Sequence, residues 1–214
     1  MIRRMWPAGA LDFLRELEAN NDRDWFKANR ARYNAVLLEP ARELAAQLAH
    51  LGEPRFFRPW NNTRFRPGPP LKEHIAFSIG GDAAVYYVSL SLDGLVAGAG
   101  IHHPDADQLE RFRSAIADGR RAAAFERAVA TAYAAGLELI EPELKRAPKG
   151  YSVDHPRIDR LRLKRMTLFH RSQIGRWLHA STADDRIRAE LDAARPFVAW
   201  LCKYVGPSTQ PQRH

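Results

Sequence analysis

Between Lys145 and Arg165 the chain carries Lys145, Arg146, Lys149, Arg157, Arg160, Arg162, Lys164 and Arg165 against only Asp154 and Asp159. That is an excess of six positive charges in a protein of net charge +8, so the basicity is concentrated. Within the stretch Pro148 fixes one backbone angle and Lys149-Gly150 supplies a turn. Asp154-His155-Pro156 has the form of a helix start, a capping acid followed by proline at the first helical position. A second basic segment holds Arg58, Arg64, Lys72 and His74 and is stiffened by Pro67, Pro69 and Pro70. Arginine offers a planar fork to carboxylate or phosphate, and lysine a movable point charge. If the two segments meet, Arg58, Arg64, Lys72, His74, Lys149, Tyr151, His155, Arg162 and Lys164 make a pocket for a small anionic or phosphorylated molecule. Catalysis would fall to His155, shuttling a proton near its free pKa of about 6.5, with Asp154 to orient it and Tyr151 to stack or hydrogen-bond.

Other readings compete for the same residues. The cations can cover a solvated face, with Asp154 only capping a helix. Phe56, Phe57, Trp60 and Phe65, interleaved with Arg55, Arg58, Arg64 and Arg66, have the composition of a platform for single-stranded nucleic acid. Such aromatics also occur in edge strands whose rings face a core. His102-His103-Pro104-Asp105-Ala106-Asp107 offers metal-ligating side chains, but adjacent histidines on a strand point to opposite faces, and Asp105 is better placed as a helix cap. No metal or cofactor is expected. Phosphate-binding glycine loops, nucleophile elbows and paired-histidine zinc motifs are missing, which disfavours the main hydrolytic families.

The elements that must position these residues follow from periodicity. Leu11, Leu14 and Leu17 predict a first helix, and Asp22 caps a second in which Trp25 and Phe26 serve as core anchors, with a break or kink before Pro40. Arg55 to Trp60 reads as extended, and the proline-rich run after it as an ordered loop or edge. Ile75–Ile79 predicts a strand. Tyr86, Val88, Leu90 and Leu92 alternate through another, and Asp93-Gly94 turns it into a third. Gly98 and Gly100 leave one strand face bare, for a close backbone or ligand, or for a bend. Asp105 and Gln108 form a capping box, Gly119 separates two helices, Met166–Phe169 is a further strand, and a last helix opens at Thr182 with Pro196 bending or restarting it. The expected fold is α+β: a mainly antiparallel, twisted sheet with helices packed on one side, an N-terminal helix pair and a C-terminal helix. Residues 8–205 are expected to form one domain and 206–214 a disordered tail.

With 214 residues, 45% hydrophobic and 27% charged, the chain can bury a substantial core without staples. Its one cysteine, Cys202, excludes an internal disulfide and suits a reducing cytoplasm. Arginines open the chain as in a secretory signal, but Pro7, Gly9 and Asp12 leave no apolar run behind them, and no stretch is long enough to span a membrane. The positive balance favours anionic partners, nucleic acid among them.

On three stretches, NNDRDWFKANRARY from Asn20, TRF with LKEHI from Thr63, and LKRAPKGYSVDHPRIDRLRLK from Leu144, the sequence resembles DUF2461, a bacterial family of unknown function. The resemblance covers about Leu11 to Leu201 and implies a fold and a site location but no established activity. The family pattern has an Arg-Asp pair where Asn61 and Asn62 stand, and a tyrosine where Leu71 stands. The resemblance therefore implies that a carboxylate and a phenol present in relatives are replaced in this chain.

Overall fold

The computed structural model describes residues 6–64 and 67–210. In α1 (Ala8–Ala19) the leucines at helical spacing turn inward with Phe13, and all are buried. Asp22 starts α2 (Arg23–Tyr33), its carboxylate accepting the N–H groups of Asp24 and Trp25 at 2.9 and 2.8 Å. The interruption expected before Pro40 is a widened turn. Asn34–Leu38 is π-helical and runs directly into α3 (Glu39–Gln47). Proline lacks an N–H and its ring crowds the carbonyl four residues back, and a π turn relieves both.

Six strands, β1 (Pro54–Phe56), β2 (His74–Gly80), β3 (Val85–Ser91), β4 (Gly94–Ile101), β5 (Glu138–Leu139) and β6 (Met166–Ser172), form one sheet in the order β1-β2-β3-β4-β6-β5. β1 is an edge strand, antiparallel to β2 with Phe56 opposite Phe77. The β3–β4 hairpin turns over Leu92-Asp93, and Gly94, at φ 137°, opens β4 in a conformation that side-chain-bearing residues rarely adopt. The bare face of β4 admits a backbone. A Cβ at Gly98 would lie 2.7 Å from the Leu168 carbonyl oxygen, and one at Gly100 would overlap that of Met166. With helices before, between and after the strands, the fold is α+β as expected.

The described residues form two compact units, each assembled from separate chain segments. The first takes Met1–Ile79, Tyr87–Ala97 and Arg171–Arg188. Its core holds Trp6, Phe13, Leu14, Leu17, Phe26, Leu37, Leu44 and Leu48, all fully buried. Phe26 meets Tyr33 and Trp60 edge-on at 5.1 and 5.4 Å between ring centres, and Trp25 packs on Phe13 at 5.5 Å, so both anchors predicted for α2 act as such.

The second unit takes Gly80–Tyr86, Gly98–His170 and Ala189–His214. Here Phe112 of α4 (Ala106–Ala117), Phe125 of α5 (Gly119–Ala134), and Phe197 and Trp200 of α8 (Arg195–Tyr204) form one aromatic cluster. In the capping box the Asp105 N–H donates to the Gln108 side chain at 3.1 Å. Gly119 is the first residue of α5, whose cap is Asp118. α7 (Ala183–Ala193) is followed by a fresh start at α8, with Pro196 in its first turn.

Two expectations need correction. Asp154 caps no helix: α6 is only Ile158–Leu161, and the N–H of Arg157 before it donates to Nδ1 of His155 at 3.1 Å. An imidazole nitrogen reaches a main-chain N–H two residues on, while Asp154 is exposed and α6 has no side-chain cap. Gly206–Gln210, expected as disordered tail, is held along α4. Asp107 accepts from the Thr209 N–H and hydroxyl at 2.8 and 2.9 Å, and Gln108 and Arg111 donate to the carbonyls of Gly206 and Pro207. Residues 211–214 lie outside the described ones.

Candidate functional site

Strand period sets the site. In β3 the side chains of Tyr86, Val88 and Leu90 are buried, while Val85, Tyr87, Ser89 and Ser91 are only half-buried. A sheet face lined with hydroxyls stays partly open to water. In the first unit that face is the floor of a cleft of about 480 Å³, with Asn61, Pro69, Leu71, Lys72, Glu73 and His74 along one side, Tyr87, Ser89 and Ser91 on the floor, and Asp93, Val96 and Arg171 beyond.

The wall carrying Lys72 is braced by main-chain pairing across the neck of the proline loop. Trp60 and Leu71 form an antiparallel bridge; the Asn61 N–H donates to the Pro70 carbonyl at 2.8 Å and the Lys72 N–H to the Pro59 carbonyl at 2.7 Å. Asn61 adds its side-chain amide, donating to the Pro69 and Leu71 carbonyls at 2.9 and 3.0 Å. From the turn after α1, the Asn21 carboxamide accepts the Leu71 N–H at 3.0 Å and donates to the Leu71 carbonyl at 3.1 Å and to Glu73 at 2.8 Å. Polar groups around a fully buried leucine are thus all paired, as buried backbone requires.

Two cations in this cleft have no carboxylate partner among the described residues. Lys72 donates to the Arg58 carbonyl at 2.9 Å, and its ammonium lies 5.8 Å from the centre of the Phe57 ring. Arg171, on the far side, is exposed and forms no ion pair among the described residues. The His74 pKa is pushed below its usual value by burial and then by the Lys72 charge, with Glu73 opposing, so its ring is neutral near pH 7. Ser91 holds the hairpin, accepting from the Asp93 N–H at 3.2 Å.

The other predicted residues do not line this cleft. Arg64 is exposed, and its N–H donates to the Asn62 side chain at 3.3 Å; Phe65 and Arg66 fall outside the described residues. Of the proposed aromatic platform, Phe56 packs on Phe77 at 5.2 Å and Trp60 on Phe26, while Phe57 and the rest of the Trp60 surface are exposed. Lys149, Tyr151, His155, Arg162 and Lys164 belong to the second unit. Tyr151 and His155 meet edge-on at 6.2 Å, and Lys149 and Lys164 are exposed.

Much of the basic stretch is structural. Arg157 donates to the carbonyls of Ile116 and Ala117 at 2.6 and 2.7 Å, satisfying the open C-terminal end of α4. Arg160 grips Glu126 with two bonds of 2.9 and 3.0 Å, Arg165 pairs with Glu143 at 3.1 Å, and Arg162 reaches Asp159 at 3.6 Å. The His102 and His103 rings stand edge-on at 4.5 Å, and among the described residues no group of three or more His, Cys, Asp or Glu side chains is arranged to hold a metal.

A family model described as "Conserved hypothetical protein (DUF2461)" matches residues 9–200, nearly the whole chain. The chain belongs to the DUF2461 family. No curated protein and no solved structure matches it. In this DUF2461 chain, Lys72 and His74, singled out in the sequence, line the cleft together with Tyr87, Ser89 and Arg171, which were not singled out. The signal for two of them was present: the residues between Tyr86, Val88 and Leu90 are Tyr87 and Ser89, a polar stripe at strand period. Nothing local marks Arg171. Among the described residues no helix is long and apolar enough to cross a membrane.

Proposed function

We propose that the cleft of the first unit binds a small anionic or phosphorylated molecule between Lys72 and Arg171, in a cytoplasmic protein. The carrying observation is that these two cations, on opposite sides of a cleft of about 480 Å³, lack among the described residues the carboxylate partners that Arg32, Arg160 and Arg165 possess. An unpaired cation beside a cleft is free to form charge-assisted hydrogen bonds with a ligand. The hydroxyls of Tyr87 and Ser89 supply donors between them, and neutral His74 supplies a donor and an acceptor. Glu73 and Asp93 on the rim suit a ligand that also bears hydroxyl or amino groups.

Thermal denaturation with ribose 5-phosphate, a dicarboxylate and inorganic phosphate tests the reading. A ligand at a hundred times its Kd contributes about 2.7 kcal/mol, a measurable rise in Tm. One of these anions should raise the Tm, and Lys72→Ala or Arg171→Ala, or both for an anion long enough to reach each cation, should fold normally but lose the response. No rise with any anion rejects the reading.

A further inference from the structure

Phe57 is 40% exposed, whereas Phe13, Phe26, Phe77, Phe112, Phe125 and Phe197 are each under 2% exposed. Its place follows from strand register. β1 pairs Phe56 with Phe77, and the ladder continues one residue further, the Phe57 N–H donating to the Ala76 carbonyl at 3.1 Å. Successive side chains alternate, so the half-buried Phe56 shares the face of Phe77 and Phe57 lies on the face that also carries Ala76 and His74. There its ring lies 6.1 Å from that of Tyr87 and under the Lys72 ammonium, both lining the cleft. Phe57 does not itself line the cleft but stands beside Tyr87 and Lys72, which do, so the aromatic end of the cleft is at Tyr87 of β3 with the exposed Phe57 ring next to it.

Arg171 stands at the other end. In the sheet order it is three strands from His74, about 14 Å at a spacing near 4.8 Å per strand. One phosphate cannot touch both ends. The cleft suits an elongated molecule with a flat aromatic group at one end, an anion at the other and hydroxyls between.

Resting on the anion-binding reading above, we infer that the ligand is a nucleotide. Its base stacks on Phe57 and Tyr87, its ribose hydroxyls meet Ser89 and the Glu73 or Asp93 carboxylates, and its phosphate reaches Arg171. Stacking a base on an aromatic ring is sequence-tolerant, because every base has a π-face, and Lys72 over Phe57 reinforces that end electrostatically.

Titration calorimetry of the full chain with AMP, UMP and ribose 5-phosphate tests the assignment. The nucleotides should bind roughly 5- to 100-fold more tightly than ribose 5-phosphate, the usual range for one stacked base. Phe57→Ala should remove that advantage and leave ribose 5-phosphate unaffected, and Phe57→Leu, which keeps an apolar contact with Tyr87, should do the same with the fold intact by circular dichroism. Equal affinity for all three ligands, indifferent to Phe57, overturns the nucleotide assignment while leaving the anion site standing. Binding of none overturns both.

Discussion

The Asn21 carboxamide pairs with both main-chain polar groups of Leu71, accepting its N–H at 3.0 Å and donating to its carbonyl at 3.1 Å across fifty residues of sequence. One side chain does here what a neighbouring strand does in a sheet. It ties the turn between α1 and α2 to the wall that carries Lys72 and His74. Asn21→Ala leaves the N–H of a fully buried residue without a partner, a cost of about 1–3 kcal/mol. Denaturant unfolding should show that loss. Asn21→Asp should be worse near neutral pH than in acid, because a carboxylate would face the Leu71 carbonyl and Glu73.

Gly100 is the tightest point of the β4–β6 pairing, at φ 134° and against the Met166 carbonyl. Gly100→Ala is expected to cost about 2–4 kcal/mol, combining backbone strain with overpacking. Gly68→Ala, with nothing within 4 Å of the added carbon, should change stability little and serves as the control. Equal melting temperatures for the two variants would contradict this packing.

His74 gives the cleft a pH dependence. Burial and Lys72 hold its folded pKa below the unfolded value of about 6.5, so the unfolded chain takes up the proton first, and stability falls as pH drops below about 6.5. A bound anion favours the imidazolium and raises that pKa. Affinity for a sulfate ester, whose charge is constant in this range, should therefore increase from pH 7.5 to 6, and His74→Gln should flatten the profile.

Asp107 fastens the 206–210 segment. Its carboxyl is held well below the usual range, first by the Thr209 N–H and then by the Thr209 hydroxyl and Arg111. Asp107→Ala should abolish hydrogen-exchange protection of the Thr209 amide while leaving that of the Phe112 and Phe125 amides unchanged. In the unaltered protein that protection should persist at about pH 4, where an ordinary aspartate is roughly half protonated. Protection lost there would show that the contacts to Asp107 are not what holds the segment.

Short-range physics was legible in the sequence. The Asp22 cap, the Asp105 and Gln108 capping box, the β3–β4 hairpin (its turn one residue earlier than the expected Asp93-Gly94) and the buried face of α1 each depend on residues within a turn or two of one another, so residue types and spacing determine them. The π turn before Pro40 was half legible: proline demands relief, but whether the helix breaks or widens depends on what holds its two sides. The cleft was legible in part, since Lys72 and His74, singled out in the sequence, line it. What only the tertiary structure decided is which charges remain available to a ligand. Arg157 and Arg171 are alike in sequence, yet Arg157 meets a carbonyl forty-one residues away while Arg171 faces an open cleft. A cation's role is set by the partner that folding brings to it, and long-range partners leave no local mark.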